Sequence, residues 1–421
     1  MVGLEEVPQS TRESMERIGS ANVVIGVFAG NEPEEIHRLL ATAQKGLSSL
    51  ASPVRAVLVH SGPDVAETWA VGEGSEKDAS VRVLAYPGLE PMGLGDYTRA
   101  THAAYRATIA VGESLGARAC GVIVSDPESV TPQWILWLIQ PVLELDFDLV
   151  APVYAHHKFE NLLNSGILSP LTRALYGKRI AYPLGPDFGF SSRLLQQLHE
   201  SSSGSGSAGR AHFLEAYAIQ AICGGLEACQ ANIGARVNPP VDWLNLSSVL
   251  AEILSPLFLD IERTAVFWQG IRGSQTVPSF GKRASSSEDA GVVDVRRMID
   301  SFQLGCRNLQ EIWGQVLPPK TLLELAKLAR LAPEKFRMPD ELWARIVYDF
   351  LLGHRLKTIS RDHLLRAITP LYLGWVASYA LELEASGDAA VERKVEQLAI
   401  AYEEAKPYFL SRWRWPDRFN P

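Results

Sequence analysis

The chain has 421 residues, of which 47% are hydrophobic and 21% charged, so it can bury a full core, which excludes general disorder and a disulfide miniprotein. Its 40 Lys and Arg against 48 Asp and Glu give a net charge of −8 without a long basic block, so no nucleic-acid partner is expected. The four cysteines are scattered, and neither a signal peptide nor a transmembrane segment is apparent, which predicts a cytoplasmic protein.

The predicted elements begin with an alternation of short apolar strands and amphipathic helices. The strands are expected over residues 22–28, 54–60, 81–85, 119–124, 148–153 and 228–233. The helices are expected from about residues 36, 64, 96, 132, 194 and 213. Strands that alternate with helices typically form a parallel sheet covered on both faces, so this part predicts an α/β domain.

Two polar stretches interrupt the later part of the chain. Residues 201–210 (SSSGSGSAGR) predict a surface loop, and residues 281–291 (GKRASSSEDAG) predict a linker. Beyond residue 293 the apolar spacing indicates helices alone, over residues 339–352, 361–384 and 390–409.

The predicted organisation has four parts. They are an N-terminal leader over residues 1–20, an α/β domain over 21–280, a linker over 281–292 and an all-helical C-terminal domain over 293–421.

The loop after the fourth predicted strand is the first candidate site. It contains Asp126 and Glu128, at the edge of the sheet where α/β proteins bind their ligands. Carboxylate oxygens at that edge suit a hard divalent cation held against phosphates. Acidic residues also cap helices, and a helix is expected from Pro132, so the loop by itself fits both interpretations.

Two further loops contain candidate residues. His156, His157 and Lys158 follow a strand and could bind an anionic ligand, although a solvated loop fits them as well. Asp187 lies in a segment rich in Gly, Pro and aromatic residues, which is shaped either to face a ligand or to turn at the sheet edge.

Taken in order, the segments VSDPESVTPQWI, PVYAHHKFENLLNSGILSPLTRALYGKRIAYPLGPDFGFS and GLEACQANIGARV resemble family 2-type glycosyltransferases of the GT-A fold. The group is the one allied to mannosylglycerate and glucosylglycerate synthases. The similarity spans residues 21–280 and extends more loosely to the helical remainder. It implies a Rossmann-like GT-A sheet with a helical extension, and a hexosyltransferase that moves a sugar from a nucleotide-diphosphate donor to a small, glycerate-like hydroxyl acceptor.

The resemblance also implies roles for individual residues. Asp126 stands at the last acidic position of a D-x-D motif that holds Mg²⁺ or Mn²⁺, with Glu128 and Asn238 as further metal ligands. The implied catalytic residues are Asp187 and Glu215. The implied donor contacts are Ala29, Asn31, His60, Gly93, Gly95 and Ser125, and the implied acceptor contacts are His156, His157 and Lys158.

Several positions depart from the pattern of this group. Val124 stands where the group has its first metal-binding carboxylate, and Asn238 stands where it has a metal-binding histidine. Leu94 replaces the lysine of the glycine loop, and Gly62 replaces the aspartate that recognises the base. Leu214 stands where the group has a carboxylate on a helix. The alternative function is therefore a catalytically impaired glycosyltransferase-like protein with a binding or regulatory role. An unrelated doubly wound binding protein is a third interpretation. The sequence leaves the oligomeric state open, a homo-oligomer included.

Overall fold

The computed structural model describes residues 7–28, 33–61, 80–88, 97–126, 128–203, 217–236, 245–284 and 293–416. In these ranges the chain is an α/β protein with a mostly parallel central sheet of eight strands and a helical C-terminal region. The predicted fold class is confirmed at that level.

The chain divides into two compact units whose boundaries differ from the predicted ones. The first unit comprises Met1–His156, Ile180–Pro239 and Thr276–Ser285, and the second comprises His157–Arg179, Pro240–Gln275 and Ser286–Pro421. The predicted cut near residue 280 therefore needs correction, because two earlier segments belong to the helical unit. Their assignment depends on contacts made more than 100 residues away along the chain, which local patterns do not reveal.

The sheet of the first unit has the strand order β3-β2-β1-β4-β7-β5-β8-β10. The ten strands of the described chain are β1 Val23–Val27, β2 Arg55–His60, β3 Ser80–Ala85, β4 Ala119–Ile123, β5 Leu149–Ala155, β6 Lys178–Arg179, β7 Phe188–Ser191, β8 Ala228–Ala235, β9 Gln275–Thr276 and β10 Ser279–Phe280. Strand β7 runs antiparallel to both of its neighbours, β4 and β5. The six predicted strands are all present, whereas the short β7 and β10 were not predicted.

The helices of the first unit cover the sheet. They are α1 Gln9–Ile18, α2 Pro33–Leu47, α3 Tyr97–Ser114, α4 Pro132–Leu145, α6 Ser192–Ser203 and α7 Tyr217–Cys223. The predicted leader over residues 1–20 is corrected by α1, since the buried Thr11 hydroxyl donates to the Ala85 carbonyl oxygen at 2.9 Å. Helix α4 begins where expected, with Thr131 as N-cap and Pro132 in the first turn. The helix predicted near residue 64 lies outside the described residues.

The second unit is helical apart from short extended pieces. Its helices are α5 Ser169–Tyr176, α8 Leu246–Arg263, α9 Ala265–Trp268, α10 Val295–Asn308, α11 Gln310–Gly314, α12 Pro319–Leu328, α13 Asp340–Leu356, α14 Arg361–Ala367, α15 Thr369–Leu383 and α16 Asp388–Arg414. A π-helical turn, Asn164–Leu168, precedes α5. The Gly166 carbonyl of this turn accepts hydrogen bonds from Trp343 Nε1 at 2.8 Å and from the Tyr402 hydroxyl at 2.9 Å. These contacts join residues 157–179 to the C-terminal helices of the unit.

Two residues of the C-terminal SRWRW segment, Arg412 and Trp413, pack inside the second unit, whereas Trp415 is exposed. Trp413 is buried against Trp268 and Phe409, and the Arg355 guanidinium lies 3.9 Å from its ring centroid. The chain from Arg361 to Leu383 is apolar and long enough to cross a membrane by composition, but 72% of its most apolar 18-residue stretch is buried, as in a core helix.

Candidate functional site

The candidate site lies where the order of the parallel strands reverses. From β1 the chain adds β2 and β3 on one side, and β4 then joins β1 on the other side. The carboxyl ends of two such strands diverge into a crevice, which is where open α/β sheets bind ligands. The residues at this point are Phe28 after β1 and Val124, Ser125 and Asp126 after β4.

A buried carboxylate fixes the backbone at the end of β4. Asp187 Oδ1 accepts hydrogen bonds from the backbone N–H groups of Val124 at 2.8 Å and Ser125 at 2.9 Å. Asp187 Oδ2 accepts from the Ser125 hydroxyl and from the Tyr154 hydroxyl, the latter at 2.6 Å. Asp187 is 0% exposed, so four donors surround its carboxylate without direct access from solvent.

This arrangement brings together two of the predicted site residues, Asp187 and Ser125. Their positions differ from the implied roles, because Asp187 is enclosed and the Ser125 hydroxyl points to it rather than into the crevice. A buried carboxylate needs hydrogen bonds in place of those that it loses from water. Val124 and Ser125 at the end of β4 supply three of them, and Tyr154 on β5 supplies the fourth. Asp187 and Ser125 are therefore joined at the buried end of β4, directly before the acidic loop of Asp126 and Glu128.

The acidic loop itself is exposed. Asp126 and Glu128 both face solvent, directly beyond the buried Ser125. Asp126 Oδ1 accepts a hydrogen bond from the Glu128 backbone N–H at 2.8 Å, and the Asp126 carbonyl oxygen accepts one from Ser129 at 2.9 Å. The turn thus orients the Asp126 carboxylate through its Oδ1 atom. The Asp126 Oδ2 atom and the Glu128 carboxylate remain on the surface.

This loop offers two exposed carboxylates to the predicted metal. Within the described residues, no group of three or more His, Cys, Asp or Glu side chains is arranged to hold a metal ion. Mg²⁺ commonly needs only one or two carboxylates, since water and substrate phosphates supply the remaining oxygens. Asp126 and Glu128 fit that mode of binding. Asn238, the third predicted ligand, lies outside the described residues.

Aromatic residues that the sequence did not single out surround the carboxylate. Tyr154 on β5 packs edge-on against Tyr182 at 4.9 Å between ring centroids, and the Arg236 guanidinium lies 5.4 Å from the Tyr154 centroid. A tyrosine inside an apolar strand needs a partner for its hydroxyl, and that requirement is the signal that could have pointed to Tyr154. Arg236 adds a cation at the end of β8.

His60, a predicted donor contact, ends β2 and is 3% exposed. It lines a cavity of about 10 Å³ together with Val27, Leu58 and Val83, which is room for one water molecule at most. The remaining predicted donor residues Ala29, Asn31, Gly93 and Gly95, and the predicted catalytic Glu215, lie outside the described residues.

The predicted acceptor residues divide between the two units. His156 belongs to the first unit, where its ring packs edge-on against Tyr182 at 6.0 Å, while His157 and Lys158 belong to the second. Lys158 Nζ donates to the carbonyl oxygens of Leu383 at 2.9 Å, Glu384 at 2.9 Å and Ser386 at 3.0 Å. An ammonium group has three donors, so Lys158 caps the C-terminal end of α15, while its role as an acceptor contact stays a prediction.

The cysteines do not extend the site. None of the four, all of them among the described residues, forms a disulfide, and burial raises the pKa of the Cys120 and Cys229 thiols to about 12. Thiols with such a pKa are not nucleophiles near neutral pH.

The described residues form an α/β protein with two exposed carboxylates, Asp126 and Glu128, at the switch point of its sheet. No family model matches the chain, and no curated protein matches it. A solved structure described as "Crystal Structure of a Mycobacterial Protein" is 16% identical, with a TM-score of 0.32, over 60% of this chain and 79% of that one. That similarity is too low to support a fold or a function.

Proposed function

We propose that the protein is a GT-A-fold glycosyltransferase that moves a sugar from a nucleotide-diphosphate donor to a small hydroxyl acceptor. The observation that carries the proposal is the exposed Asp126 at the switch point of the sheet, held by a turn whose base is fixed to buried Asp187. A doubly wound sheet binds nucleotides at such a point, and an exposed carboxylate there suits a cation–diphosphate complex.

The sheet is compatible with this proposal. Strands β1, β2, β3 and β4 are parallel, and the acidic loop follows the central strand β4. The reversed strand β7 lies beside β4, and Asp187 immediately precedes it.

Asp126 and Glu128 would hold Mg²⁺ or Mn²⁺ in this enzyme. Bound there, the cation would neutralise the negative charge that develops on the departing nucleotide diphosphate. The chain's own contribution is to keep the Asp126 carboxylate oriented through the Glu128 N–H and to fix the preceding backbone through Asp187. Arg236, at the end of β8, supplies positive charge to the same edge of the sheet.

A transfer assay tests the proposal. Purified protein with Mn²⁺ is incubated with UDP- and GDP-hexoses and a panel of acceptors that includes glycerate, and products are identified by mass spectrometry. We expect one donor and acceptor pair to give a glycoside, and Asp126→Asn to reduce its rate by about 100-fold or more. Glu16→Gln, which alters an exposed carboxylate on α1, serves as the matched control and should keep the full rate.

A glycosyltransferase-like protein with a binding or regulatory role is the second candidate. It is favoured by one specific observation, namely that the carboxylate of Asp187 and the ammonium of Lys158 are both engaged in structural hydrogen bonds. In that case the nucleotide sugar would bind with Asp126-dependent affinity while no glycoside forms with any acceptor.

A further inference from the structure

We propose that Asp187 is a positioning residue, which acts with Tyr154 to hold the backbone of the acidic loop in the conformation that presents Asp126. This inference rests on the proposed function for its ligand, but its structural part is testable without one. It assigns Asp187 a task different from that of a group that reacts with the substrate.

Burial and hydrogen bonding carry the inference. Asp187 is 0% exposed, and both of its oxygens are occupied: Oδ1 by the N–H groups of Val124 and Ser125, and Oδ2 by two hydroxyls. A nucleophile or a general base needs a lone pair directed at the reacting atom. Two of the four donors that point at the Asp187 carboxylate are the N–H groups of Val124 and Ser125, in the backbone that leads into Asp126.

Further buried contacts hold the segment that carries Asp187. The segment before Asp187 is held by two tyrosines, since the Tyr217 hydroxyl donates to the Gly185 carbonyl at 2.6 Å and the Tyr105 hydroxyl donates to the Pro186 carbonyl at 3.0 Å. Phe188 stacks on the Tyr217 ring at 3.8 Å between centroids. Buried aromatic contacts therefore fix Asp187 before any ligand is present, which is the arrangement required of a preorganised loop.

Tyr154 extends the support to the next strand. Its ring lies between Tyr182 and Trp134, at 4.9 and 5.8 Å between centroids, so its hydroxyl has a defined direction toward Asp187. Because Tyr154 belongs to β5 and Val124 follows β4, the aspartate bridges two strands that are separated by β7.

Hydrogen exchange of the ligand-free protein tests the structural part. In Asp187→Ala, the amides of Val124 and Ser125, followed in a peptide over residues 122–130, should exchange about tenfold faster or more. Tyr154→Phe loses one hydroxyl and should give a smaller increase, of about threefold. It remains informative if Asp187→Ala fails to fold.

The matched control is Asp148→Ala. Asp148 is also buried and accepts from a hydroxyl and a backbone N–H, but it lies at the other end of β7. We expect it to lower thermal stability while the peptide over residues 122–130 exchanges as in the wild type. Equal acceleration in Asp148→Ala and Asp187→Ala, or none in Asp187→Ala, would overturn the inference.

Conservative substitution separates positioning from direct chemistry. In Asp187→Asn the side-chain carbonyl still accepts from both N–H groups, so the loop should keep its slow exchange. The Kd of the Asp187→Asn variant for Mn²⁺–UDP or Mn²⁺–GDP, measured by calorimetry, should stay within about threefold of the wild-type value. In Asp187→Ala the same Kd should rise about tenfold. If Asp187→Asn keeps slow exchange yet transfers sugar no better than Asp187→Ala, Asp187 acts directly and the inference is wrong. If the wild type binds neither nucleotide, the proposed function fails, and hydrogen exchange alone decides the positioning role.

Discussion

Asp148 and Asp187 anchor opposite ends of the reversed strand β7, and both are buried. Asp187 immediately precedes the strand and binds the end of β4, while Asp148 accepts the Ser191 hydroxyl at 2.6 Å and Arg193 Nε at 2.7 Å where the strand ends. A short strand of four residues contributes few ladder hydrogen bonds, so its placement depends on such anchors. The two aspartates therefore secure the strand that completes the candidate site.

Removing the Asp148 anchor should destabilise the first unit. Asp148→Ala leaves the Ser191 hydroxyl, Arg193 and the Glu227 N–H without their buried acceptor. We expect the free energy of unfolding, measured with urea, to fall by about 2–4 kcal/mol. The exposed control Glu16→Ala should change it by less than about 0.5 kcal/mol, and equal values for the two variants would contradict the anchoring role.

A glycine allows α4 to pack closely on β7. A side chain at Gly189 would collide with the backbone carbonyl of Leu138, which cannot move without breaking α4. We expect Gly189→Ala to lower the free energy of unfolding by at least about 2–3 kcal/mol. Gly314→Ala, at a glycine with open space around it, should be neutral by the same measurement. If Gly189→Ala leaves the free energy of unfolding unchanged, α4 does not pack closely enough on β7 to exclude a side chain at this position.

Lys158 should matter for the stability of the second unit rather than for an acceptor. Lys158→Met removes three hydrogen bonds and a positive charge at the C-terminal end of α15. We expect a loss of about 1–2 kcal/mol in urea unfolding. Lys335→Met makes the same change at an exposed site and should have almost no effect. An unchanged stability with a raised acceptor KM would restore the role that the sequence predicted.

The stability of the second unit should depend on the protonation of Asp349. Burial raises the pKa of Asp349 from its ordinary 3.8 to about 7, although Arg412 and Tyr408 oppose the shift. The folded state then keeps a proton that the unfolded chain loses above pH 3.8, so this contribution to stability declines as the pH rises from about 4 to 7.

Comparison of Asp349→Asn with the wild type isolates this contribution. The difference in the free energy of unfolding, wild type minus variant, should become smaller between pH 5 and 7.5. A difference that grows with pH for Asp349→Asn would show that the ion pair with Arg412 outweighs burial.

The sequence predicted those features that local patterns encode. The apolar run at β1 and the N-cap and proline of α4 are local signals, and the structure bears them out. Strand β7 has only four residues, two of them aromatic and one a glycine, and no pattern of that length identifies a strand. The contacts that hold its two ends join residues about 40 or 60 positions apart along the chain, Ser191 with Asp148 and Asp187 with Val124.

The location and the roles of the candidate site residues stay predictions, to which the structure adds contacts that the sequence did not indicate. An acidic residue after an apolar strand pointed to Asp126, because the ends of parallel strands form the crevice. The enclosure of Asp187 and the helix-capping of Lys158 depend on partners that are distant in sequence, Tyr154 and Leu383 among them. Charge and neighbours alone could not distinguish a residue that supports a site from one that contacts a ligand.

The most direct test of the account is nucleotide-dependent thermal stabilisation. Wild-type protein is heated with a panel of UDP- and GDP-sugars in the presence and absence of Mn²⁺, and compared with Asp126→Asn, which keeps the oxygen that accepts from Glu128 but loses the charge. We predict that at least one Mn²⁺–nucleotide sugar raises the Tm of the wild type by about 2–5 °C, and that Asp126→Asn abolishes the rise while Glu16→Gln retains it. An unmoved Tm across the whole panel, or the same rise in Asp126→Asn, would contradict the proposal that this protein binds a nucleotide-diphosphate sugar at Asp126.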